Sequence, residues 1–197
     1  RTGRPFTGDH AGDLLYRTLT KFGFAVGTYD RRADDGLRLA GCRITNAVRC
    51  VPPENKPVGA EVKACRPFLN GELTGAADRR IILALGSLAH GAILASLGLR
   101  KASYPFGHGH RHPLDNGTVL FDSYHCSRYN TNTGRLTEAM FDAVFAAIRA
   151  DLPALREHRE DIPMLAKHFL KEINQKRAPD QQAELTKEVT AALSSYD

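Results

Sequence analysis

The sequence lacks the features of membrane-spanning, fibrous and disordered chains. Nowhere in its 197 residues does an apolar run approach the roughly 18 residues that a membrane span requires. It has no Gly-X-Y period, and its 42% hydrophobic content is too high for a disordered chain. It begins Arg1-Thr-Gly-Arg4, which is not a hydrophobic secretion signal. We therefore expect a globular cytosolic protein, with one domain of about 150 residues and an appendage.

Cysteine is scarce, and several common site motifs are absent. Four cysteines without a secretion signal argue against a disulfide framework and favour free thiols or metal ligands. The sequence contains no Cys-x-x-Cys pair, no Walker A loop and no dinucleotide-binding glycine fingerprint. It therefore offers no support for nucleotide-dependent catalysis.

Glycine and cysteine are both missing from residue 151 onward, and the sign of the charge changes there. Residues 1–150 carry 20 Lys and Arg against 13 Asp and Glu, a net charge of +7. Residues 151–197 carry 7 against 9, a net charge of −2. We expect two parts with different partners. The basic part suits a polyanion such as DNA, although ordinary surface charge explains the same excess.

Hydrophobic periodicity predicts helices that alternate with strands in residues 1–150. The predicted helices are 9–22, 61–73, 87–97 with Ser87 as cap, and one capped by Thr137 that runs through Ile148; the predicted strands are 37–48, 80–86 and 118–124; residues 105–116 and 124–134 are predicted to be irregular. This alternation predicts a parallel sheet in an α/β fold, with functional loops at the carboxyl ends of the strands. Residues 151–197 are predicted to form a small helical unit, with one helix from Asp161 and another along Leu185–Leu193.

Three polar residues at the ends of predicted elements are candidates for chemistry. Asp9 precedes the first predicted helix, where it either caps that helix or orients a water molecule. Asn46 ends an apolar stretch and is either a turn residue or an amide that pairs with the edge of a nucleobase. His125 follows the last predicted strand and is either a structural histidine or a group that stabilises a developing anion.

The cysteines divide into a candidate ligand pair and two packed residues. Cys50 and Cys65 are separated by a proline-rich loop, and two thiolates are half of a tetrahedral metal or iron–sulfur site. Buried free cysteines are nevertheless common, so the pair alone decides little. Cys42 and Cys126 are predicted to be packed thiols.

Two polar segments are candidates for ligand contact. His108, His110 and His112 alternate in a predicted loop, and they either bind a metal or lie in a solvated loop that contacts phosphate. The segment Arg128–Arg135 combines Arg, Asn, Thr and Tyr side chains, which suit phosphate contact and insertion into a duplex.

Five ordered motifs in residues 1–150 resemble those of the family 5, iron–sulfur type uracil-DNA glycosylases. Each motif is weak alone, but five in order at compatible spacing are specific. They are Arg1-Thr-Gly-Arg-Pro-Phe-Thr-Gly-Asp9, Ile44-Thr-Asn-Ala-Val-Arg-Cys-Val-Pro-Pro-Glu-Asn-Lys-Pro57, Cys65-Arg-Pro-Phe-Leu69, Ala84-Leu-Gly86 and Tyr124-His-Cys-Ser-Arg-Tyr-Asn-Thr-Asn-Thr-Gly-Arg-Leu136. The resemblance implies a three-layer sandwich with a short central parallel sheet flanked by helices.

The resemblance also implies an activity and a set of site residues. The activity is hydrolysis of the N-glycosidic bond of uracil, and of other deaminated bases, in DNA. Phe6 would stack on the extruded base, and Asp9 would position or activate water. Asn46 would read the uracil edge, and His125 would stabilise the charge on the departing base.

Further residues are assigned by the same resemblance. Cys50 and Cys65 would be two of the four ligands of a 4Fe-4S cluster. The segment 127–135 would enter the duplex beside the flipped nucleotide. Its DNA-contacting side chains would be Ser127, Arg128, Asn130 and Arg135. We expect a monomer that acts on duplex DNA, without ATP and away from membranes, in the bacterial cytoplasm.

The sequence departs from the family pattern before residue 1. The family has a Cys-x-x-Cys pair and a Gly-Leu-Ala-Pro-Ala loop in a region upstream of Arg1. We therefore expect a chain that lacks part of its catalytic motif and two cluster ligands, with activity in doubt.

The C-terminal part resembles a different family. Leu152-Pro-Ala-Leu-Arg-Glu-His-Arg-Glu-Asp-Ile-Pro-Met-Leu-Ala-Lys-His-Phe-Leu170 is similar to the start of the lid subdomain of bacterial enhancer-binding AAA+ transcription activators. We expect domains at 1–150 and 151–197, joined either naturally or by an artefact. The alternatives to a working enzyme are an inactive DNA-binding module and a metal-binding regulator that uses His108–His112.

Overall fold

The chain forms two compact units, Arg1–Arg149 and Ala150–Asp197, in a computed structural model. The structure describes residues 4–49, 57–75 and 81–152, and in the second unit a smaller set: Ala166, Leu170, Asn174, Ala183, Glu184 and 186–189. No helix among these residues is long and apolar enough to cross a bilayer.

Helices and strands alternate along the first unit, which confirms the α/β class. In chain order the elements are α1 (His10–Lys21), β1 (Ala25–Val26), β2 (Arg38–Leu39), α2 (Gly59–Thr74), β3 (Ile81–Leu85), α3 (Ser87–Ser96), β4 (Arg111–Pro113), β5 (Val119–Ser123), α4 (Arg128–Asn132) and α5 (Glu138–Asp151). All four predicted helices of this unit are present, and their bounds differ from the predictions by a few residues.

A small three-stranded sheet, in the order β3-β5-β4, is the centre of the first unit. β3 and β5 are parallel, in a register that pairs Leu85 with Ser123. β4 is antiparallel to β5, so the predicted parallel pairing is confirmed for β3 with β5, and β4 adds an antiparallel edge strand that the sequence did not predict. β4 lies inside the segment predicted as a loop, because three residues with the sequence Arg-His-Pro carry no hydrophobic period.

The strand predicted over residues 37–48 is wrong over most of its length. Only Arg38–Leu39 forms a strand, in an antiparallel pair with Ala25–Val26. Residues 41–49 are irregular, although they include apolar side chains such as Ile44. A strand needs a partner to satisfy its backbone, and in the described part of the chain this segment has none.

Three helices differ from the sequence prediction in a local detail. α3 is capped by Gly86 at φ +96°, so the predicted cap Ser87 is instead its first helical residue. α2 continues through Pro67, and its buried Leu69 and Leu73 pack in the core with residues of α3. The segment predicted as irregular after Tyr124 contains the short helix α4.

β5 is buried on both faces, as the middle strand of the sheet. Leu120 packs in a cluster with Leu69 and Leu73 of α2 and Leu94 of α3. Phe121, the next residue, points to the opposite face and is also buried. The strand is therefore held rigidly up to its last residue, where the polar segment 124–135 begins.

The described residues of the second unit include two local contacts between a side chain and the backbone. The Asn174 side chain donates to the Ala183 carbonyl at 2.7 Å and accepts from its N–H at 3.0 Å. The Thr186 hydroxyl accepts from the N–H of Val189 at 3.3 Å, where residues 187–189 are helical. The predicted helix from Asp161 and the ends of the Leu185–Leu193 helix lie outside the described residues.

Replacing Leu120 by Ala tests the central position of β5. Leu120 is 0% exposed, so L120A is expected to lower the free energy of unfolding by about 2–5 kcal/mol. The matched control L88A makes the same change at a side chain that is 42% exposed, and its loss is expected to be much smaller. Denaturant unfolding measures both, and equal losses would contradict this packing.

Candidate active site

The carboxyl ends of β3 and β5 meet because the two strands are parallel. The N–H of Gly86, after β3, donates to the carbonyl of Ser123 at 2.8 Å. A Cβ at Gly86 would lie 3.4 Å from the Cβ of His125. The end of β3 therefore packs directly beneath the backbone and Cβ of His125.

The loop before α1 reaches the same end of the sheet. The ring of Phe6 lies 5.8 Å from the His125 ring, at an interplanar angle of 47°. Phe6 adopts a left-handed backbone conformation, with φ +61°, which is uncommon for a residue with a large side chain. Two predicted site residues that are 119 positions apart in the sequence thus become neighbours.

Tyrosine hydroxyls hold the strained backbone of this loop. Tyr29 donates to the Phe6 carbonyl at 3.2 Å and accepts from the Gly8 N–H at 3.2 Å. Tyr16 donates to the carbonyl of Pro5. A strained conformation persists only where its surroundings determine it, and these bonds provide that determination around Phe6.

Arg4 anchors the start of the loop. Its guanidinium donates to both carboxylate oxygens of Asp35, at 2.9 and 2.7 Å, and to the Arg32 carbonyl at 2.7 Å. It also lies over the rings of Tyr16 and Tyr29, at 5.1 and 5.5 Å from the centroids. Arg4, followed by the N–H groups of Asp30 and Leu37, holds the pKa of Asp35 well below its usual range.

Gly12, on the first turn of α1, allows the loop to fold back over the helix. A Cβ at this position would lie 2.1 Å from the Phe6 carbonyl oxygen and 2.5 Å from the Tyr29 hydroxyl. Neither distance is sterically possible, so only glycine fits beneath the loop. Gly12, Arg4 and Tyr29 carry no functional signal in the sequence, because their contacts appear only in the folded chain.

Asp9 occupies the N-cap position of α1, but its side chain makes no capping hydrogen bond. Its backbone is extended, as in an ordinary N-cap, and its side chain is exposed. The carboxylate is thus not committed to the helix. The Asp9 side chain therefore remains available, and its role in orienting water stays a prediction.

His125 is half-buried, and burial lowers the pKa of its imidazole. The charge on Asp9 acts in the opposite direction and raises that pKa by a smaller amount. The imidazole is therefore neutral at pH 7, with one N–H to donate. The Asn130 side chain donates to the His125 carbonyl at 2.8 Å and fixes the backbone of this residue.

The segment predicted to contact DNA is partly used to build the site. Ser127 caps α4 and accepts from the Asn130 N–H at 3.5 Å, while Arg135 lies 4.6 Å over the ring of Tyr124. Arg128 is exposed, and its neighbour Tyr129 is 71% exposed. Contact of these side chains with DNA stays a prediction.

α4 is also tied to α1. The His10 Nε2 and the Thr131 hydroxyl lie 3.1 Å apart in a hydrogen bond. His10 directly follows Asp9, so this bond links the candidate water-positioning carboxylate to the helix after His125. This hydrogen bond helps to hold α1 and α4 at a fixed spacing.

Asn46 lies in the irregular segment 41–49, and its side chain is exposed. Among the described residues no hydrogen bond involves this side chain, which leaves its amide free for a ligand. The structure does not join it to Phe6, Asp9 or His125 by a contact. Its role in reading a base stays a prediction.

The described cysteines fall into two environments. Cys65 on α2 accepts a hydrogen bond from the Arg49 N–H at 3.5 Å, and Arg49 directly precedes Cys50, which lies outside the described residues. Cys42 donates to the Phe24 carbonyl at 3.2 Å. Burial raises the pKa of Cys42, and it raises that of Cys126 to about 12. Cys42 and Cys126 are therefore packed thiols, as the sequence predicts.

The three histidines of residues 108–112 do not converge on one point. His108 Nδ1 accepts from the Tyr124 N–H at 3.2 Å, and its ring stacks on that of Tyr124. His110 Nδ1 lies 3.0 Å from the Pro105 carbonyl. His112 instead lies against Asp122, at the edge of the core. Each of the three histidines therefore contacts a different part of the structure.

These features define an α/β protein with an aromatic residue, a carboxylate and a neutral histidine at one end of a small sheet. Residues 1–149 match the family model of the uracil DNA glycosylase superfamily, and the chain belongs to that superfamily. Residues 156–197 match the AAA+ ATPase lid domain.

Within the superfamily, the chain is similar to several type-5 uracil-DNA glycosylases. It is 49% identical to that of Thermus thermophilus over 141 residues, which are 72% of this chain and 64% of the relative. It is 44% identical to that of Mycobacterium tuberculosis over 147 residues, 74% of this chain and 55% of the relative. It is 38% identical to that of Pyrobaculum aerophilum over 157 residues, 79% of this chain and 67% of the relative. The chain thus spans less than two thirds of the length of the first two relatives.

A Gly86→Ala variant tests the close packing beneath His125. Its φ of +96° is disfavoured for alanine, and the new Cβ would contact the Cβ of His125 at 3.4 Å, so we expect a loss of about 1–3 kcal/mol in stability, mainly from backbone strain. Gly98→Ala is the matched control, because Gly98 has φ +70° and no atom within 4 Å of an added Cβ. Thermal melts compare the two variants. A G98A loss as large as that of G86A would contradict the role of the His125 contact.

The closeness of Asp9 to His125 is tested by histidine titration. In the wild-type chain the imidazole of His125 is expected to titrate below its usual range. Asp9→Asn removes the charge that raises this pKa, so the titration should move further down. NMR of ring-labelled histidine measures both values. An unchanged or higher pKa in D9N would show that the two groups do not interact.

Proposed function

We propose that the first unit hydrolyses the N-glycosidic bond of uracil in DNA. The observation that carries the proposal is the meeting of Phe6, Asp9 and His125 at the carboxyl end of β5, where Phe6 and His125 are 5.8 Å apart. The names of the type-5 relatives support the same substrate. The net charge of +7 over residues 1–150 suits a DNA partner.

The substrate base must leave the duplex before it can react. Extrusion of one nucleotide costs a few kcal/mol and places the base in a protein pocket. The Phe6 ring offers an aromatic face, and stacking on such a face is worth about 1–3 kcal/mol per base. The hydrogen bonds of Tyr29 and Tyr16 to this loop hold the ring in place without a ligand. Asn46 is the amide that would read the uracil edge.

Bond cleavage moves an electron pair from the glycosidic bond onto the base. The sugar then has oxocarbenium character, and the departing uracil carries negative charge. The neutral His125 donates its N–H to a uracil oxygen and stabilises this charge. Asp9 accepts a proton from a water molecule as the water oxygen bonds to the sugar C1′. That proton then neutralises the base anion.

The remaining predicted residues have supporting roles in this proposal. Exposed Arg128 on α4 would contact phosphate or enter the duplex with its exposed neighbour Tyr129. Ser127, Asn130 and Arg135 would reach DNA from the same segment while they hold the backbone after His125. We propose that the enzyme acts as a monomer, and the resemblance of residues 156–197 to a lid domain assigns no ATP-dependent step.

An iron–sulfur cluster does not fit the cysteines of the described residues. Such a cluster is held by four thiolates. Cys65 is half-buried beside the backbone of Arg49 and is available as a ligand, with Cys50 as its proposed partner. Cys42 donates to the Phe24 carbonyl and Cys126 is fully buried, so neither is proposed as a further ligand. No step of the reaction is assigned to a cluster.

The direct test is excision from a duplex that contains one labelled uracil, followed by alkaline cleavage of the abasic product. We expect activity in the wild-type chain and a loss of about 10²–10⁴-fold in Asp9→Ala. Asp34→Asn is the control, since this carboxylate is exposed on another loop and is expected to leave the rate unchanged.

The outcomes that contradict the proposal are distinct. Equal rates in wild type and D9A would remove Asp9 from the mechanism. Duplex binding by the wild-type chain without any abasic product would identify a DNA-binding module instead of an enzyme.

A further inference from the structure

A second cluster of polar side chains lies in the core of the first unit, away from the solvent. His90 on α3, His112 on β4 and Asp122 on β5 place their ligand atoms within 4.8 Å of one another. The Asp122 side chain is 0% exposed, and those of His90 and His112 are 4% and 11% exposed. The uracil-excising chemistry proposed above uses none of the three.

A count of hydrogens shows that either a proton or a metal ion must lie between His90 and Asp122. The Tyr104 carbonyl lies 2.9 Å from His90 Nε2, so this nitrogen carries a hydrogen and donates it. His90 Nδ1 then has a lone pair in the neutral ring, yet it lies 2.7 Å from an Asp122 carboxylate oxygen. Two lone pairs repel each other at this distance unless a proton or a metal ion lies between them. Either an extra proton or a metal ion lies between them.

The donor set is one that transition metals prefer. Two imidazole nitrogens and one carboxylate oxygen are ligands of zinc sites, which take three protein ligands and a water in a tetrahedral arrangement. A metal-bound histidine usually donates its other ring N–H to a carbonyl or carboxylate, which aims the ligating nitrogen. The bond from His90 to the Tyr104 carbonyl is such a contact.

Burial of Asp122 calls for a compensating positive charge, which a divalent ion would supply. A carboxylate that is fully removed from solvent needs a compensating positive charge nearby. His112 Nε2 faces the second oxygen of Asp122 at 3.1 Å, so both oxygens have an imidazole partner. His112 is the most exposed of the three, which leaves that side of the cluster for a water ligand.

We propose that His90, His112 and Asp122 form a binding site for a divalent transition-metal ion of the zinc class. The ion joins α3, β4 and β5 behind the candidate active site. Asp122 lies on β5 and His125 follows that strand three residues later, so the ion would stabilise the element that positions the imidazole. Its proposed role is structural.

Only a small adjustment is needed for the metal to enter. Tetrahedral bonds of about 2.0–2.1 Å place neighbouring ligand atoms about 3.3 Å apart. The His90–Asp122 contact must therefore open from 2.7 Å, while the His112–Asp122 contact of 3.1 Å is already close to this value. A small rotation of the Asp122 side chain is sufficient.

The test is titration of the chelator-treated full chain with Co²⁺. We expect one equivalent to bind with the visible absorption of a four-coordinate nitrogen and oxygen site, without the near-ultraviolet band of a cobalt–thiolate bond. Zn²⁺ should displace it and raise the melting temperature by several degrees. His112→Gln should weaken binding by more than about tenfold.

Two control variants locate the metal. His110→Gln changes the neighbouring exposed histidine and should bind Co²⁺ like the wild type, and Cys65→Ser should do the same. Loss of binding in C65S, or a thiolate band in the wild type, would place the metal on cysteine and overturn the proposal. The absence of stoichiometric binding would overturn it too, and would leave a protonated hydrogen-bonded cluster. The wild-type spectrum decides between these outcomes even where H112Q fails to fold.

Discussion

The bidentate ion pair between Arg4 and Asp35 is the interaction on which the candidate active site depends. It fixes the start of the loop before α1, whose left-handed residue Phe6 would not hold its conformation alone. The Arg4 guanidinium also lies against Tyr16 and Tyr29, whose hydroxyls bind the loop backbone. One charged group thereby orders the segment that carries both the aromatic ring and the carboxylate. Because Asp35 is most strongly bound when ionised, this order is retained above the usual range of a carboxyl pKa.

The parallel pairing of β3 with β5 supplies the other half of the site. It brings Gly86 directly under the backbone and Cβ of His125. Asn130 then fixes the His125 backbone from the following helix. The His90–Asp122–His112 cluster lies at the same strand, three residues earlier. β5 therefore connects the buried polar cluster with the proposed chemistry at its end.

The balance of charge at His125 follows from this architecture. Burial removes water from the imidazole and favours its neutral form, while the exposed Asp9 partly offsets that effect. A neutral histidine donates a hydrogen bond without a fixed positive charge, which is the property needed beside a base that becomes negative. Asp9 keeps its carboxylate free because it takes the N-cap position without using its side chain there.

The sequence by itself determined the α/β class, the four long helices of the first unit and strands β3 and β5, because these depend on local hydrophobic period. It also identified Asp9 and His125 as candidates through their positions at element ends, and Phe6 through the family resemblance. The tertiary structure decided what depends on distant pairing. β4 exists only because it pairs with β5, and the predicted strand 37–48 is mostly irregular because most of it has no such partner among the described residues. His112 leaves its loop neighbours and joins His90 and Asp122 for the same reason: contacts across 22 and 10 positions of sequence exist only once the sheet has formed.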